Sequence, residues 1–107
     1  MQLNTPKGRI DVKICKNSWS KGVGLMFSRP RMLLFDFRKP RRMSLHMFFV
    51  FFSIDVYFLD NFMEVIEVKR NFRPFTTYKS RLACNYVLET PANALTLRVG
   101  DKLEKII

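Results

Sequence analysis

Cysteine and histidine are scarce in this chain, and their scarcity removes whole classes of chemistry. The two cysteines, Cys15 and Cys84, stand 69 positions apart, and His46 is the single histidine. A tetrahedral zinc site made of Cys and His needs four such ligands, so one chain cannot assemble it, and no metal or other cofactor is expected. Each cysteine lies in an apolar stretch, Val12-Lys13-Ile14-Cys15 or Leu82-Ala83-Cys84, where a buried free thiol is the expected state rather than a disulfide. Glycine is equally sparse, at four residues. Gly22-Val23-Gly24 lacks the later glycine and the Lys-Ser/Thr of a phosphate-cradling loop, and neither Gly-x-Ser-x-Gly nor His-Glu-x-x-His occurs. Long apolar runs are missing too. Leu45 to Ile54 is interrupted by His46 and Ser53 and has about half the length of a bilayer-spanning helix. Met1 to Gly8 has none of the charged, apolar and small-residue zones of a secretory signal, so the expected location is the cytoplasm.

Acidic residues are the last shortage, and the most informative one. Nine Asp and Glu oppose nineteen Lys and Arg, leaving a net charge of +10 that attracts polyanions such as RNA, DNA or anionic lipid surfaces. What the chain has in plenty is apolar material: 48% hydrophobic residues, eleven of them Phe. That content lies outside the disordered regime, and 107 residues suffice for one domain, 1–107, with its own core.

The apolar residues fall in strand patterns. Ile10-Asp11-Val12-Lys13-Ile14-Cys15 alternates with period two, predicting a half-buried strand with Ile10, Val12 and Ile14 inward. Asn17 to Gly24 carries capping and stop signals for a short helical turn, with Trp19 over one end of the core. Met32 to Phe37 reads as a short buried strand between Pro30 and Pro40. Met43 to Val50 and Asp55 to Asp60 are aromatic and β-branched, and Asp60-Asn61 predicts a hairpin turn into Met63 to Val68. Lys69 to Arg81 has no period and contains Pro74, so an exposed loop is expected. Asn85 to Glu89 resumes strand composition. Thr90-Pro91-Ala92-Asn93-Ala94-Leu95 combines a capping Thr with Pro at a first helical position, predicting a short helix before a turn at Val99 to Leu103 and a last strand. The sum is a mainly β, small antiparallel barrel-like domain with one or two short helices.

Gly24-Leu25-Met26-Phe27, Met32-Leu33-Leu34-Phe35, Met47, Ile54-Asp55-Val56-Tyr57-Phe58-Leu59-Asp60, Tyr86-Val87-Leu88-Glu89 and Val99-Gly100-Asp101 follow one another in an order that resembles domain of unknown function 192. The resemblance runs from about Val12 to Ile106 and implies a compact, mainly β, barrel-like fold, without bringing an activity, substrate or cofactor. The chain departs from the commoner pattern of that family at His46-Met47-Phe48-Phe49-Val50, where Trp-Met-Lys-Asn-Thr is typical, and at Ser53, where Pro is usual. Nothing attached to that Lys and Asn transfers to this sequence.

Two sets of residues are candidates for function. Arg29, Arg31, Arg38, Lys39, Arg41 and Arg42 face a single nearby acid, Asp36, and Lys69, Arg70, Arg73, Lys79 and Arg81 form a second basic set interleaved with Phe72, Phe75 and Tyr78. Basic residues with aromatics between them suit phosphate contacts beside base stacking, whereas in a plain solvated loop the same aromatics dock onto the domain. The primary expectation is a non-enzymatic module that binds RNA or another polyanion through Arg38, Arg41, Arg42, Arg70, Arg73, Phe75, Tyr78, Lys79 and Arg81. Alternatives are an enzyme acting on a small anionic substrate, with His46 and Asp55 as acid and base, and an accessory domain recognised by a protein partner. The bland reading of the acids is that Asp60 serves the hairpin turn and Asp55 satisfies backbone N–H groups where a buried run begins.

Overall fold

Alternation of apolar and polar residues makes a sheet with one wet face, whereas an unbroken apolar run makes a strand covered on both sides. Ile54-Asp55-Val56-Tyr57-Phe58-Leu59 is such a run but for Asp55, and its strand is buried at every position. The computed structural model describes residues 1–15, 32–42, 44–46, 52–74 and 76–106. The helical turn expected at Asn17 to Gly24, Trp19, Phe75 and most of Met43 to Val50 lie outside the described residues.

Ten strands follow in chain order: β1 Gln2–Thr5, β2 Gly8–Asp11, β3 Lys13–Cys15, β4 Leu33–Arg41, β5 Ser44–His46, β6 Ile54–Leu59, β7 Val65–Phe72, β8 Thr77–Lys79, β9 Cys84–Pro91 and β10 Glu104–Lys105. They form a five-stranded sheet ordered β3-β4-β9-β6-β7, a three-stranded sheet β10-β1-β2 and a two-stranded ribbon β5-β8. Only the β3-β4 pair is parallel among the described pairings. The mainly β reading holds, but the sheets stay separate and do not close into a barrel, and no helix occurs among the described residues. None of those residues belongs to a helix long and apolar enough to cross a membrane.

The five-stranded sheet is packed on both faces. Leu34, Tyr57, Leu59 and Leu88 point to one side, where Leu3, Ile10 and Val12 and the C-terminal Leu95, Leu97 and Leu103 cover them. Leu33, Phe35, Ile54, Val56, Phe58, Phe72 and Val87 point to the other, with Tyr78 packed against them. Each fully buried Leu or Phe contributes roughly 1.5–3 kcal/mol relative to exposure, so the β6-β9 centre is the main source of stability.

Three expectations are corrected, and one further strand is found. The strand read across Ile10 to Cys15 is broken at Val12, whose N–H donates to the Met1 carbonyl at 2.8 Å, so β2 and β3 serve different sheets. The segment Gln2–Thr5, unassigned from sequence, is a strand closed onto β2 by a Pro6-Lys7 turn. There the Thr5 hydroxyl donates to the Gly8 carbonyl at 2.7 Å, and Gly8 takes a φ of 114°. The helix expected over Thr90 to Leu95 is absent, because β9 continues to Pro91, paired with Ile54, and then turns through Asn93 at φ 65°. The loop expected from Lys69 to Arg81 is instead the outer half of β7, a short turn and β8. As the edge strand of its sheet, β7 tolerates Lys and Arg that would be costly in the centre.

Candidate functional site

The β6-β7 hairpin shows how local chemistry sets the site's position. The Asp60 carboxylate Oδ1 accepts the N–H of Phe62 at 2.8 Å and of Glu64 at 3.0 Å, and Met63 takes a φ of 60°, so Asp60 fixes this turn as expected. At the other end of the hairpin Ile54 pairs with Phe72 and Val56 with Lys69, leaving Asp55 opposite both Arg70 and Asn71. This bulge, with Asn71 at φ 51°, interrupts the regular ladder before the last pair, Ile54 and Phe72.

Asp55 is 1% exposed and both of its oxygens are engaged. Oδ1 accepts the Asn71 N–H and Oδ2 the Asn93 N–H, each at 2.9 Å, while Arg70 Nη1 lies 4.0 Å from Oδ2. The sequence offered Asp55 as a base or as a backbone acceptor, and its contacts are those of the acceptor. Arg70 is likewise tied down: its guanidinium lies 5.8 Å from the Tyr57 ring centroid and donates to the Leu97 carbonyl, while the Tyr57 hydroxyl donates to the Leu95 carbonyl at 2.8 Å. His46 sits in β5 opposite Thr77 of β8, and its side chain is outside the description.

Beyond the bulge, a cleft of about 370 Å³ opens between β7 and β8, lined by Lys69, Arg70, Asn71, Phe72, Arg73, Thr76 and Thr77. Its size is at the lower end of the range that holds a small ligand. Thr76 closes the connecting turn by donating its hydroxyl to the Arg73 carbonyl at 2.5 Å, and Arg73 is exposed at the rim. The two basic segments meet here. Ribbon β5-β8 sets Ser44 opposite Lys79, and the Arg42 Nε donates to the Ser80 carbonyl at 2.9 Å. The end of β4 and the end of β8 therefore bring Arg42 close to Lys79 and Arg81. Of Arg38 and Arg41 only the β4 backbone is described, with Arg41 opposite Cys84.

The acids near the cleft are turned inward. Glu67 is buried, accepts the N–H of Arg81 at 2.9 Å and of Leu82 at 3.0 Å, and receives the Tyr78 hydroxyl. Burial alone would raise its pKa, but the Tyr78 hydroxyl, the two amides and the Arg81 charge together outweigh burial and hold the carboxyl below its ordinary value. The Tyr78 phenol is pushed up in turn, first by its bond to Glu67 and then by burial and the Glu67 charge. The Tyr78 ring packs 5.9 Å from Phe58 and 6.3 Å from Phe72, with Lys69 Nζ 5.5 Å above it, and Phe72 is 1% exposed. The aromatics at 72 and 78 thus dock onto the domain, the plainer of the two readings of the sequence.

Glu67 also supplies a test of this packing. Tyr78→Phe is expected to cost about 1–2 kcal/mol in chemical denaturation by removing a hydrogen bond to a charged acceptor. Because the folded carboxyl sits below its ordinary value, its stabilisation is present above about pH 4.5 and lost as pH falls through the lower folded value, so the variant should show a shallower acid limb.

Residue reasoning missed Glu89. It lies in β9 between Leu33 and Val56, on the face that carries Val87, 8% exposed, and burial raises its pKa to about 8. The available signal was an acid inside the otherwise apolar Tyr86-Val87-Leu88 strand. Cys84 is buried. No three His, Cys, Asp or Glu side chains converge on a metal position among the described residues.

Fold and site define a small mainly β domain with a basic cleft at one sheet edge. The chain belongs to the DUF192 family, described as Uncharacterized ACR, whose model matches residues 1–105, further toward the N-terminus than the sequence motifs suggested. It is 35% identical to a UPF0127 protein of Thermococcus sibiricus across 97% of this chain and 73% of that protein. A UPF0127 protein of Pyrococcus furiosus is also 35% identical, over 95% of each chain. Among solved structures, a Sinorhizobium meliloti protein described as a "putative transcription regulator" superposes with a TM-score of 0.84 at 26% identity, covering 96% of this chain and 89% of that one. A protein of unknown function from Novosphingobium aromaticivorans shares the fold, with a TM-score of 0.86 at 20% identity over 97% and 84% of the two chains.

Proposed function

We propose that this protein is a non-enzymatic cytoplasmic module that binds a polyanionic partner, single-stranded RNA first, through the basic cleft between β7 and β8. The observation that carries this reading is the distribution of charge around the cleft. Asp55 is spent on Asn71, Asn93 and Arg70, and Glu67 on Tyr78 and the amides of Arg81 and Leu82. Lys69, Arg73 and Lys79 have no carboxylate partner within 4.0 Å among the described residues, so their charge is available to a ligand. The description of the Sinorhizobium meliloti protein as a "putative transcription regulator" agrees with a nucleic-acid partner. The enzymatic alternative is the less favoured, because Asp55 is 1% exposed and each of its oxygens already accepts a backbone N–H.

Fluorescence anisotropy with a labelled mixed-sequence RNA tests the proposal. If about four phosphates are neutralised, affinity should fall roughly 50-fold between 50 and 200 mM salt, following a log-log slope near −0.7 per contact for single strands. Arg73→Glu and Lys79→Glu should each weaken binding at least tenfold without altering the unfolding midpoint. Absence of binding at low salt, or binding indifferent to salt, defeats the reading.

A further inference from the structure

We infer that the cleft reads the phosphodiester backbone of its partner and not the bases. The inference rests on the binding role proposed above and concerns what that site recognises. Base-stacking recognition of a single strand needs aromatic faces presented to the ligand. Neither described aromatic of the basic segment presents one. Phe72 lines the cleft yet is 1% exposed, its ring held in the core with Ile54, Val56 and Phe58. Tyr78 has both of its recognition elements in use: its ring lies against Phe58 and Phe72 with Lys69 above it, and its hydroxyl is given to Glu67.

The groups left at the surface of the cleft are cations and short polar side chains. Lys69 and Arg73 supply charge, and Asn71 and Thr77 are exposed and able to hydrogen-bond phosphate or sugar oxygens. Asn71 uses its backbone N–H on Asp55, which leaves its side-chain amide outward at a position fixed by the bulge. Lys79 and Arg42 extend the positive surface past β8, because Arg42 is anchored on the Ser80 carbonyl and Lys79 stands next to it in the chain. A surface of this composition binds by counterion release and positions a strand without distinguishing its sequence.

The test compares labelled oligo(U), oligo(A) and oligo(C) RNA of one length in anisotropy titrations at a fixed low salt, with inorganic polyphosphate as a base-free competitor. The inference expects the three dissociation constants to agree within about threefold, polyphosphate to displace each oligomer, and Arg73→Glu to weaken all three by the same factor. A preference of tenfold or more for one base, or RNA binding that polyphosphate cannot displace, overturns backbone reading while leaving the RNA-binding role intact. If none of the oligomers binds, the binding role itself falls.

Discussion

Asp55→Ala is expected to remove about 3–5 kcal/mol of folding stability, a large part of the 5–15 kcal/mol typical of a domain. The carboxylate is buried and holds two backbone N–H groups from residues in left-handed conformation, Asn71 at φ 51° and Asn93 at φ 65°. Removing it leaves both partly buried donors without their acceptor and Arg70 without its carboxylate. Asp55→Asn retains one acceptor oxygen but presents an NH₂ to the other amide, so an intermediate loss of about 1–3 kcal/mol is expected. Urea unfolding measures both. A base that served chemistry would be replaceable by Asn with little loss of stability, so an unchanged midpoint in Asp55→Asn would contradict the structural role.

Glu89 gives the second large effect, through pH. Its folded-state pKa of about 8 lies above the ordinary 4.5 because burial penalises the charged form. Between those values the folded protein keeps a proton that the unfolded chain releases. Stability therefore declines as pH rises from about 4.5 to about 8 and levels off above, by an amount on the order of 5 kcal/mol. Glu89→Gln cannot release a proton, so its unfolding free energy should stay flatter across the same window, and the difference between the two proteins should widen with pH. Parallel profiles for the wild type and Glu89→Gln would show that Glu89 is not held neutral.

The features legible in the sequence were those whose cause is local. Asp60-Asn61 announced the hairpin because the Asp side chain bonds its own turn. The β6 run announced a doubly covered strand because no polar residue but Asp55 interrupts it. Asp55 was also readable as a backbone acceptor, although its partners at 71 and 93 were not, since a bulge and a distant turn bring them together. Errors arose where long-range pairing overrode local signals. Thr90-Pro91 has the composition of a helix start, yet pairing of β9 with both β4 and β6 carries the strand to Pro91. Lys69 to Arg81 lacks a strand period because edge position, not burial, governs β7's outer half. Gln2–Thr5 alternates too briefly to be noticed without its β2 and β10 neighbours. Both basic sets were visible as charge, but that Arg42 reaches Ser80 and β5 pairs with β8 depends on the folded chain.

Mapping the RNA contact surface tests the central claim most directly. Backbone amide shifts in a titration with a short RNA oligomer should change most for residues 69–73, 76–81 and Arg42, and should revert as salt is added. Changes confined elsewhere, for instance to the opposite turn around Phe62 and Val99, would contradict a binding cleft at β7 and β8.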